Sequence, residues 1–241
     1  MKTYFVSDAH LGVNEREIER QKERELIRFF DLVESDGKQL FILGDLFDFW
    51  FEYRTVIPKG YHRVLAKLSE LVEKGIEINY LAGNHDFWLG NFFEEDIGMH
   101  VFAEPFGVTI GNAKFFLHHG DGLARKDLGY RIMKKILRNR LNIKLYSLLH
   151  PDLGIGLARF SSRKSRNHTS QKDFGEVDGM LSFAAKKIAE GFQYVVMGHN
   201  HQPVYENVGD GFYVNLGDWI SHYTYGVYDG VKFQLLEWKR T

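Results

Sequence analysis

The chain has 241 residues, a formal net charge of −1 and no cysteine. The missing cysteine excludes thiolate nucleophiles, disulfide bonds and cysteine-ligated zinc, and it is typical of a reducing compartment. With 44% hydrophobic and 15% aromatic residues, the chain can bury a large core, which argues against disorder. The opening run MKTYFVSDAH lacks the apolar length of a signal peptide, and no stretch approaches the ~18 apolar residues of a membrane span. We therefore expect a cytoplasmic protein.

Short apolar runs alternate with helical periodicity over the first 122 residues. The runs KTYFVS, QLFIL and EINYLA predict strands, and the segments NEREIERQKERELIRFFDLVES and GYHRVLAKLSELVEKG predict helices. Farther along, VTIG and AKFFLHH predict a hairpin around Gly111 and Asn112. Strands separated by helices of this length predict a mostly parallel sheet with both faces covered.

The strand pattern then stops after Ala124 for about fifty residues. Two segments, DLGYRIMKKILRNRLNIKLYSLL and FGEVDGMLSFAAKKIAEG, predict helices, and GIGLARFSSRKSRNHTS between them is less regular. Strands return at YVVMG, PVYENV, FYVNLG and GVKFQLLEW. The pattern predicts one α/β domain, with a core of residues 1–122 and 181–241 and a helical insertion at 123–180.

The predicted insertion is strongly basic. From Arg125 to Lys172 there are thirteen lysines and arginines but only two acidic residues, Asp127 and Asp152. Four of the cations lie along one helical stripe, at positions 131, 134, 135 and 138. A solvated helical face is the simpler interpretation, but so one-sided an excess favours a surface that meets anions.

Polar side chains follow five predicted strands, at the point where each strand ends. These side chains are Asp8, His10, Asp45, Asn84, His119, His199 and His201. Because ligands bind outside the carboxyl ends of strands in open α/β sheets, we expect the seven to converge. Glycines 44, 83, 120 and 198 beside them allow close backbone approach or special turns. Strand alternation should turn His118 to the face opposite His119.

Oxygen and nitrogen donors without sulfur suit Mn²⁺, Fe²⁺ or Zn²⁺. Seven ligands are too many for one tetrahedral ion, but they suit two cations that share a bridging carboxylate. Two such ions ~3.5–4 Å apart activate water for an in-line displacement at phosphorus. Each short motif alone also fits a turn or a structural histidine. Together, at five strand ends, they predict a metal site.

Five motifs carry a resemblance to a known family. DAH, GDLFD, GNHD, HHGD and GHNH occur in the order and spacing of the calcineurin-like metallophosphoesterases. The resemblance implies a layered α/β (α+β) fold, in which a β-sandwich is flanked by helices and carries a helical cap insertion. It also implies two divalent cations, Mn²⁺ in the first place and Fe²⁺ or Zn²⁺ as alternatives.

The same resemblance implies roles for the site residues. One cation would be held by Asp8, His10, Asp45 and His201, and the other by Asp45, Asn84, His119 and His199, with Asp45 bridging. The catalytic group would be Asn84, His85 and Asp86. Here His85 contacts the phosphoryl group or protonates the leaving oxygen, and Asp86 orients His85 by a hydrogen bond.

Within this superfamily the chain is more similar to the UDP-2,3-diacylglucosamine hydrolases of lipid A biosynthesis. The similarity is carried by DAHLG, ILGDLFDFW, GNHDFWLG, HGDGLARKDLGYR, NLGDW and the basic insertion. It implies a soluble enzyme docked on the cytoplasmic face of the inner membrane. There, water attack at the α-phosphorus of the acylated UDP-sugar would give UMP and 2,3-diacylglucosamine 1-phosphate.

The resemblance also implies a set of substrate-binding residues. These are Asn84, His85, Arg125, Tyr130, Ser165, Arg166, Thr169, Ser170, Lys172 and His199. The acyl chains need an apolar groove, for which the candidates are Leu128, Ile132, Ile136, Leu141 and Leu145, although some of these pack the insertion onto the core. One departure bears on the substrate: enterobacterial members have arginine where this chain has His85, and a histidine is not a fixed cation.

Two alternatives stay open. The first is another phosphoesterase with the same metals: a phosphodiesterase, nucleotidase, phosphoprotein phosphatase or nuclease. A nuclease would use the basic stripe, but no nucleic-acid-binding module is recognisable, so no nucleic-acid partner is expected. The second is a non-catalytic scaffold for protein interactions, which has no reason to retain seven metal ligands. The oligomeric state stays open.

Overall fold

The structure is a computed structural model that describes residues 2–124, 128–158 and 176–240. Its first sheet has six strands in the order β11-β10-β1-β2-β3-β4, of which β1 to β4 run parallel to one another. The bounds are β1 Lys2–Val6, β2 Gly37–Leu43, β3 Glu77–Leu81, β4 His100–Phe102, β10 Thr224–Tyr228 and β11 Phe233–Glu237. The last two strands pair antiparallel and close one edge of the sheet.

The second sheet has five strands in the order β5-β6-β7-β9-β8. The bounds are β5 Phe106–Ile110, β6 Ala113–Leu117, β7 Tyr194–Met197, β8 Pro203–Val208 and β9 Gly211–Leu216. The predicted hairpin is present as β5 and β6, while β6, β7 and β9 run parallel. The prediction of a single sheet is therefore wrong, and the β-sandwich implied by the family resemblance is confirmed.

Alternation along β1 shows why the two sheets stack. Phe5 packs between the sheets, with its ring 5.2 Å from Phe41 and 5.7 Å from Phe115 of the second sheet. Its neighbours Tyr4 and Val6 face the opposite way, into the core beneath the helices. A strand covered by a sheet on one face and helices on the other is apolar throughout. Its sequence therefore does not reveal which layer lies on which side.

Helices cover the outer face of each sheet. On the first sheet lie α1 (Arg16–Asp36) and α2 (His62–Glu73), with a turn of π-helix at Phe93–Ile97. On the second sheet lies α6 (Glu176–Ala189), which buries Met180, Ala184 and Ile188 against β7 and β9. Because α6 crosses residue 180, the predicted end of the insertion falls inside a helix that packs on the core.

The sequence pattern does not predict two of the short strands, β4 and β10. β4 has only three residues, and β10 (TYGVY) is buried along its whole length and contains a glycine. Gly226 in β10 lies against the ring of Phe233 on the neighbouring strand, where a side chain would overlap that ring. A glycine inside an apolar run weakens the strand pattern, but here it permits close packing.

Three helices form a cap over one end of the sandwich: α3 (Leu128–Leu137), α4 (Arg140–Tyr146) and α5 (151–158). The α4 helix begins at a side-chain cap, because Asn139 accepts a hydrogen bond from the Leu141 amide. The indole of Trp88 donates to the Leu137 carbonyl at 3.1 Å and ties α3 to the core. Among the described residues, no helix has both the length and the apolarity needed to cross a bilayer.

Candidate metal centre

The seven predicted ligands lie at one edge of the sandwich. β1, β2 and β3 are parallel neighbours in the first sheet, and β6 and β7 are parallel neighbours in the second, so their carboxyl ends point the same way within each sheet. Backbone bonds join the loops that follow: the Asp8 amide donates to the Gly44 carbonyl, and the His10 amide to the Asp45 carbonyl. The two sheets meet where the His199 amide donates to the Asp8 carboxylate at 2.9 Å.

The predicted ligands form two groups that could each hold a metal ion, and His10 also belongs to a third group, with Asp48 and His85. In the first, Asp8 Oδ1 lies 3.6 Å from His10 Nε2 and 3.5 Å from His201 Nε2. In the second, Asp45 and His119 stand beside His199, and the rings of the two histidines are 5.1 Å apart. Asn84 completes the second group, with its Oδ1 3.0 Å from His119 Nε2.

Asp45 lies between the two groups. Its Oδ2 is 3.5 Å from His10 Nε2 in the first group and 3.3 Å from His119 Nε2 in the second. Its Oδ1 accepts a hydrogen bond from the His85 amide at 2.8 Å, which fixes the carboxylate between the groups. This placement is the one that a bridging ligand requires, although the metal role itself stays a prediction.

The backbone is strained where the ligands are attached. Six non-glycine residues of the described chain have positive φ, and five of them are predicted ligands. The five are Asp8 (52°), His10 (42°), Asp45 (54°), His199 (74°) and His201 (61°). Such strain persists only where the surrounding structure enforces it, and it concentrates at functional sites. Glycine is required beside the ligands too, since a methyl group on Gly83 would overlap the Asp45 carboxylate.

The site fits a cation. Asp8 Oδ1 and His10 Nε2 are buried without a hydrogen-bond partner, which is costly unless a metal occupies the space between them. Burial lowers the pKa of His10, but Asp48, Asp8 and Asp45 outweigh it and raise the pKa to about 10. The pKa of His119 also rises to about 10, because Asp45 outweighs burial. A site that holds protons this tightly favours positive charge.

Three acceptors behind the ligands orient the imidazole rings. His119 Nδ1 donates to the Leu43 carbonyl at 2.7 Å, which leaves Nε2 to face Asp45. Asp218 lies 3.3 Å from His201 Nδ1, and Asp48 lies 3.6 Å from His10 Nδ1. Such outer partners set the tautomer of metal-bound histidines. Sequence reasoning missed both carboxylates as site residues, although they stand in the GDLFD and NLGDW motifs.

The hydrogen bonds of Asp86 correct one prediction. Asp86 does not orient His85. Its carboxylate accepts from the backbone amides of Asp45, Phe47 and Gly83 and from the Tyr80 hydroxyl. Burial and the charge of Asp45 raise the pKa of Asp86 to about 6. The side chain points into the core, where it fixes the turns that carry Asp45 and Asn84.

His85 is held by Asp48 instead. Its Nδ1 lies 3.0 Å from the Asp48 carbonyl oxygen and 3.6 Å from Asp48 Oδ1, and its ring stands 4.7 Å from that of His10. Burial lowers the pKa of His85, which favours the neutral ring. His118 faces the opposite side as predicted: it packs on Phe183 and accepts from the Gly120 amide at 2.7 Å.

The family model of the calcineurin-like phosphoesterases matches residues 1–203. The chain belongs to this family. It is a hydrolase, and the family together with the clustered histidine and aspartate side chains indicates divalent-metal binding.

Curated relatives of this phosphoesterase cover nearly its whole length. It is 34% identical to the UDP-2,3-diacylglucosamine hydrolase of Porphyromonas gingivalis, over 97% of this chain and 96% of the relative. It is 28% identical to the protein of that name from Nitrosococcus oceani, over 91% and 88% of the two chains. With the one from Yersinia pseudotuberculosis it shares 29% identity, over 86% and 85%.

Solved structures share the fold of this phosphoesterase. An archaeal phosphodiesterase has a TM-score of 0.51 and 16% identity, with 98% of this chain and 99% of that chain covered. A phosphoesterase from E. coli has a TM-score of 0.50 and 19% identity, with 100% and 96% covered. At sequence identities below 20%, this structural similarity supports the fold assignment alone.

The cap of the phosphoesterase closes over an apolar cavity of about 480 Å³ that reaches the metal centre. Asp48, Asn84 and His85 line its inner end. The apolar walls come from Phe87, Trp88, Met133, Ile136, Leu137, Tyr146 and Leu157. Of the predicted groove residues, Ile136 lines this cavity. Ile132, Leu141 and Leu145 are not among the lining residues and are more than half exposed, and the Leu128 side chain lies outside the described part.

The basic stripe is only partly open to ligands. Lys134 Nζ pairs with Asp121 at 2.7 Å, and the Arg138 guanidinium donates to the Gly83 and Ala103 carbonyls. These contacts hold the cap beside the loop that carries the second metal group, which corrects the prediction that the whole stripe meets anions. Several predicted substrate residues lie outside the described residues: Arg125, Ser165, Arg166, Thr169, Ser170, Lys172 and the side chain of Tyr130.

Proposed function

We propose that the protein hydrolyses the pyrophosphate of UDP-2,3-diacylglucosamine, releasing UMP and 2,3-diacylglucosamine 1-phosphate. The observation that carries this proposal is the apolar cavity that opens onto the metal centre through Asn84 and His85. Two acyl chains need an apolar cavity beside the reacting phosphorus, and burying them there is favourable. The names of the curated relatives support the same substrate.

The centre would hold two cations, with Mn²⁺ the first choice. Asp8, His10 and His201 would bind one, Asn84, His119 and His199 the other, and Asp45 both. When bound, such a pair supplies a water of low pKa and positive charge against the phosphoryl oxygens. Leu43, Asp48 and Asp218 would keep the imidazole nitrogens aimed at the cations.

His85 would act on the diphosphate. The neutral ring donates from Nδ1 to the Asp48 carbonyl, which leaves Nε2 without a proton. The negative charge of an arriving diphosphate raises the pKa of the ring, so His85 takes up a proton with the substrate. That proton then neutralises charge on the phosphoryl oxygens or passes to the leaving oxygen. The insertion residues named above would bind the sugar and phosphates.

The cap also suits a membrane surface. Leu148, two residues after the end of α4, and Leu153, in the first turn of α5, are 78% and 68% exposed, and Leu141 and Leu145 are more than half exposed. Arg140 and Lys144 lie among them in the sequence. Exposed leucines with neighbouring cations favour binding to anionic lipid headgroups. The protein would therefore sit peripherally on the cytoplasmic face of the inner membrane and take its substrate there.

The alternatives lose support. A nuclease would present the basic stripe to a phosphate backbone, but Lys134 and Arg138 are engaged by Asp121 and by backbone carbonyls. A scaffold would not need a buried centre with strained ligands.

The test measures UMP released from UDP-2,3-diacylglucosamine and from the same nucleotide sugar without acyl chains, with Mn²⁺ present. We expect turnover of the acylated compound. Asp45→Asn should lower it at least about 1000-fold, because the shared ligand is lost. Ile136→Glu, which places a charge in the cavity, should raise KM for the acylated compound at least about tenfold. Val231→Glu, on an exposed loop, is the matched control. No UMP from the acylated compound would contradict the proposal.

A further inference from the structure

A second cavity, of about 540 Å³, extends to Asp48, which stands behind the predicted ligand His10. The loop that follows β1, the first turns of α1 and the segment leading into α2 form its walls. Asp48 is the one residue common to its lining and that of the apolar cavity. The second cavity therefore reaches the metal centre through Asp48, whose Oδ1 lies 3.6 Å from His10 Nδ1 and 3.6 Å from His85 Nδ1, and none of the roles assigned so far uses this cavity.

The wall of this cavity is firmly built. Glu19 accepts hydrogen bonds from the backbone amides of Gly12 and Asn14, at 2.7 and 2.9 Å. Lys22, which is 1% exposed, pairs with Glu19 at 2.9 Å and donates to the carbonyl of His10 at 2.8 Å. The Lys22–Glu19 ion pair thus fixes the loop after β1. This loop carries the predicted ligand His10 and also forms part of the cavity wall.

The cavity is basic. Its lining includes Arg16, Arg20, Lys59 and Arg63, against the carboxylates Glu19, Glu23 and Asp48. Two of these three acids are already committed, Glu19 to Lys22 and the loop amides, and Asp48 to the histidines. Arginine side chains around a cavity recognise phosphate by paired hydrogen bonds. In addition, α2 begins here without a side-chain cap and without an acidic residue in its first turn, which adds positive potential.

We propose that this cavity binds the nucleoside monophosphate end of the substrate, while the apolar cavity binds the acylated sugar end. At the α-phosphorus of the proposed substrate, one bond leads to the nucleoside and another to the leaving sugar phosphate, so the two ends extend from the phosphorus in different directions. A substrate with one anionic polar end and one apolar end then needs two binding cavities that both reach the reacting phosphorus. Asp48 lines both cavities, and about 540 Å³ is within the usual range for a ligand of nucleotide size.

This assignment rests on the proposed function, so its test measures binding of the product end separately from turnover. The full-length, Mn²⁺-loaded protein is titrated with UMP, uridine and inorganic phosphate. Arg16→Ala and Arg63→Ala should each weaken UMP binding about tenfold, the effect of losing one charge-assisted hydrogen bond, and should raise KM for the UDP-sugar. Arg24→Ala, on an exposed position of α1 outside the cavity, should leave UMP binding unchanged. Bound Mn²⁺ and thermal unfolding report the integrity of each variant.

The possible results are distinct. If UMP binds the cavity variants as tightly as the wild type, or does not bind the wild type, the assignment is overturned. If inorganic phosphate binds as tightly as UMP and responds equally to both substitutions, the cavity is a general anion site and the nucleotide assignment is also overturned. If UMP binding depends on Arg16 and Arg63 but the wild type releases no UMP from the acylated UDP-sugar, the nucleotide cavity stands and the proposed substrate fails.

Discussion

Replacing Asp86 by alanine should destabilise the turns that carry the predicted metal ligands. It should not remove a catalytic group. The carboxylate is fully buried and accepts four hydrogen bonds, from the Asp45, Phe47 and Gly83 amides and the Tyr80 hydroxyl. A buried donor left without its acceptor costs about 1–3 kcal/mol. Water entering the vacated space satisfies the donors in part. At about 1 kcal/mol for each donor, we expect a loss of about 4 kcal/mol in the free energy of unfolding.

Asparagine separates hydrogen bonding from charge. In Asp86→Asn, one oxygen still accepts from the Asp45 and Gly83 amides, and the Tyr80 hydroxyl can turn to accept from the new amide. Only the Phe47 N–H is left facing a donor, so about 1–2 kcal/mol should be lost. Urea unfolding of the metal-free protein measures both variants, with the exposed Asp96→Ala as the control.

His85 provides the contrast. His85→Ala should lose turnover while keeping most of its stability, because its ring is partly exposed at the cavity. If Asp86→Ala unfolds within about 1 kcal/mol of the wild type, or if alanine and asparagine are equally harmful, the structural role of Asp86 is refuted.

Three further predictions concern the metal centre. Gly83→Ala should abolish tight Mn²⁺ binding, because the new methyl overlaps the Asp45 carboxylate. Gly156→Ala, which has open space around it, should bind Mn²⁺ normally. The Mn²⁺ content of each variant after desalting tests this prediction. Mn²⁺ affinity should rise with pH, by up to about two log units per pH unit from 7 to 9, because an arriving cation must displace the protons of His10 and His119, whose pKa values lie near 10. Competition with a chelating dye measures the Mn²⁺ affinity at each pH. An affinity independent of pH would contradict the prediction that Mn²⁺ displaces protons from His10 and His119. Lys22→Met, which removes the support of the His10 carbonyl, should weaken Mn²⁺ binding about tenfold relative to Arg24→Met, and equal affinities would show that the loop needs no such support.

The site could be located from the sequence because its ligands are encoded locally. Each ligand follows a short apolar strand within a few residues, and parallel strands bring their carboxyl ends to one edge. The family resemblance predicts Asp45 as the shared ligand, and the structure places its carboxylate between the two groups. The roles of Asp86 and Asp48 could not be read in the same way. Both are acids within two or three residues of a ligand, and only the packing decides which of them faces the core and which faces His85.

The sequence by itself determined the strands and helices with clear periodicity, the glycine-rich turns and the seven side chains at the strand ends, because these depend on conformational preferences over a few residues. Only the tertiary structure decided that the strands divide between two sheets, that Lys22 and Asp218 stand behind the ligands, and that Lys134 and Arg138 fasten the cap. Those outcomes depend on contacts between residues far apart in the chain. An apolar strand fits equally well against a helix or a sheet, and a lysine fits equally well in solvent or beside a buried carboxylate, until the remaining layers are in place.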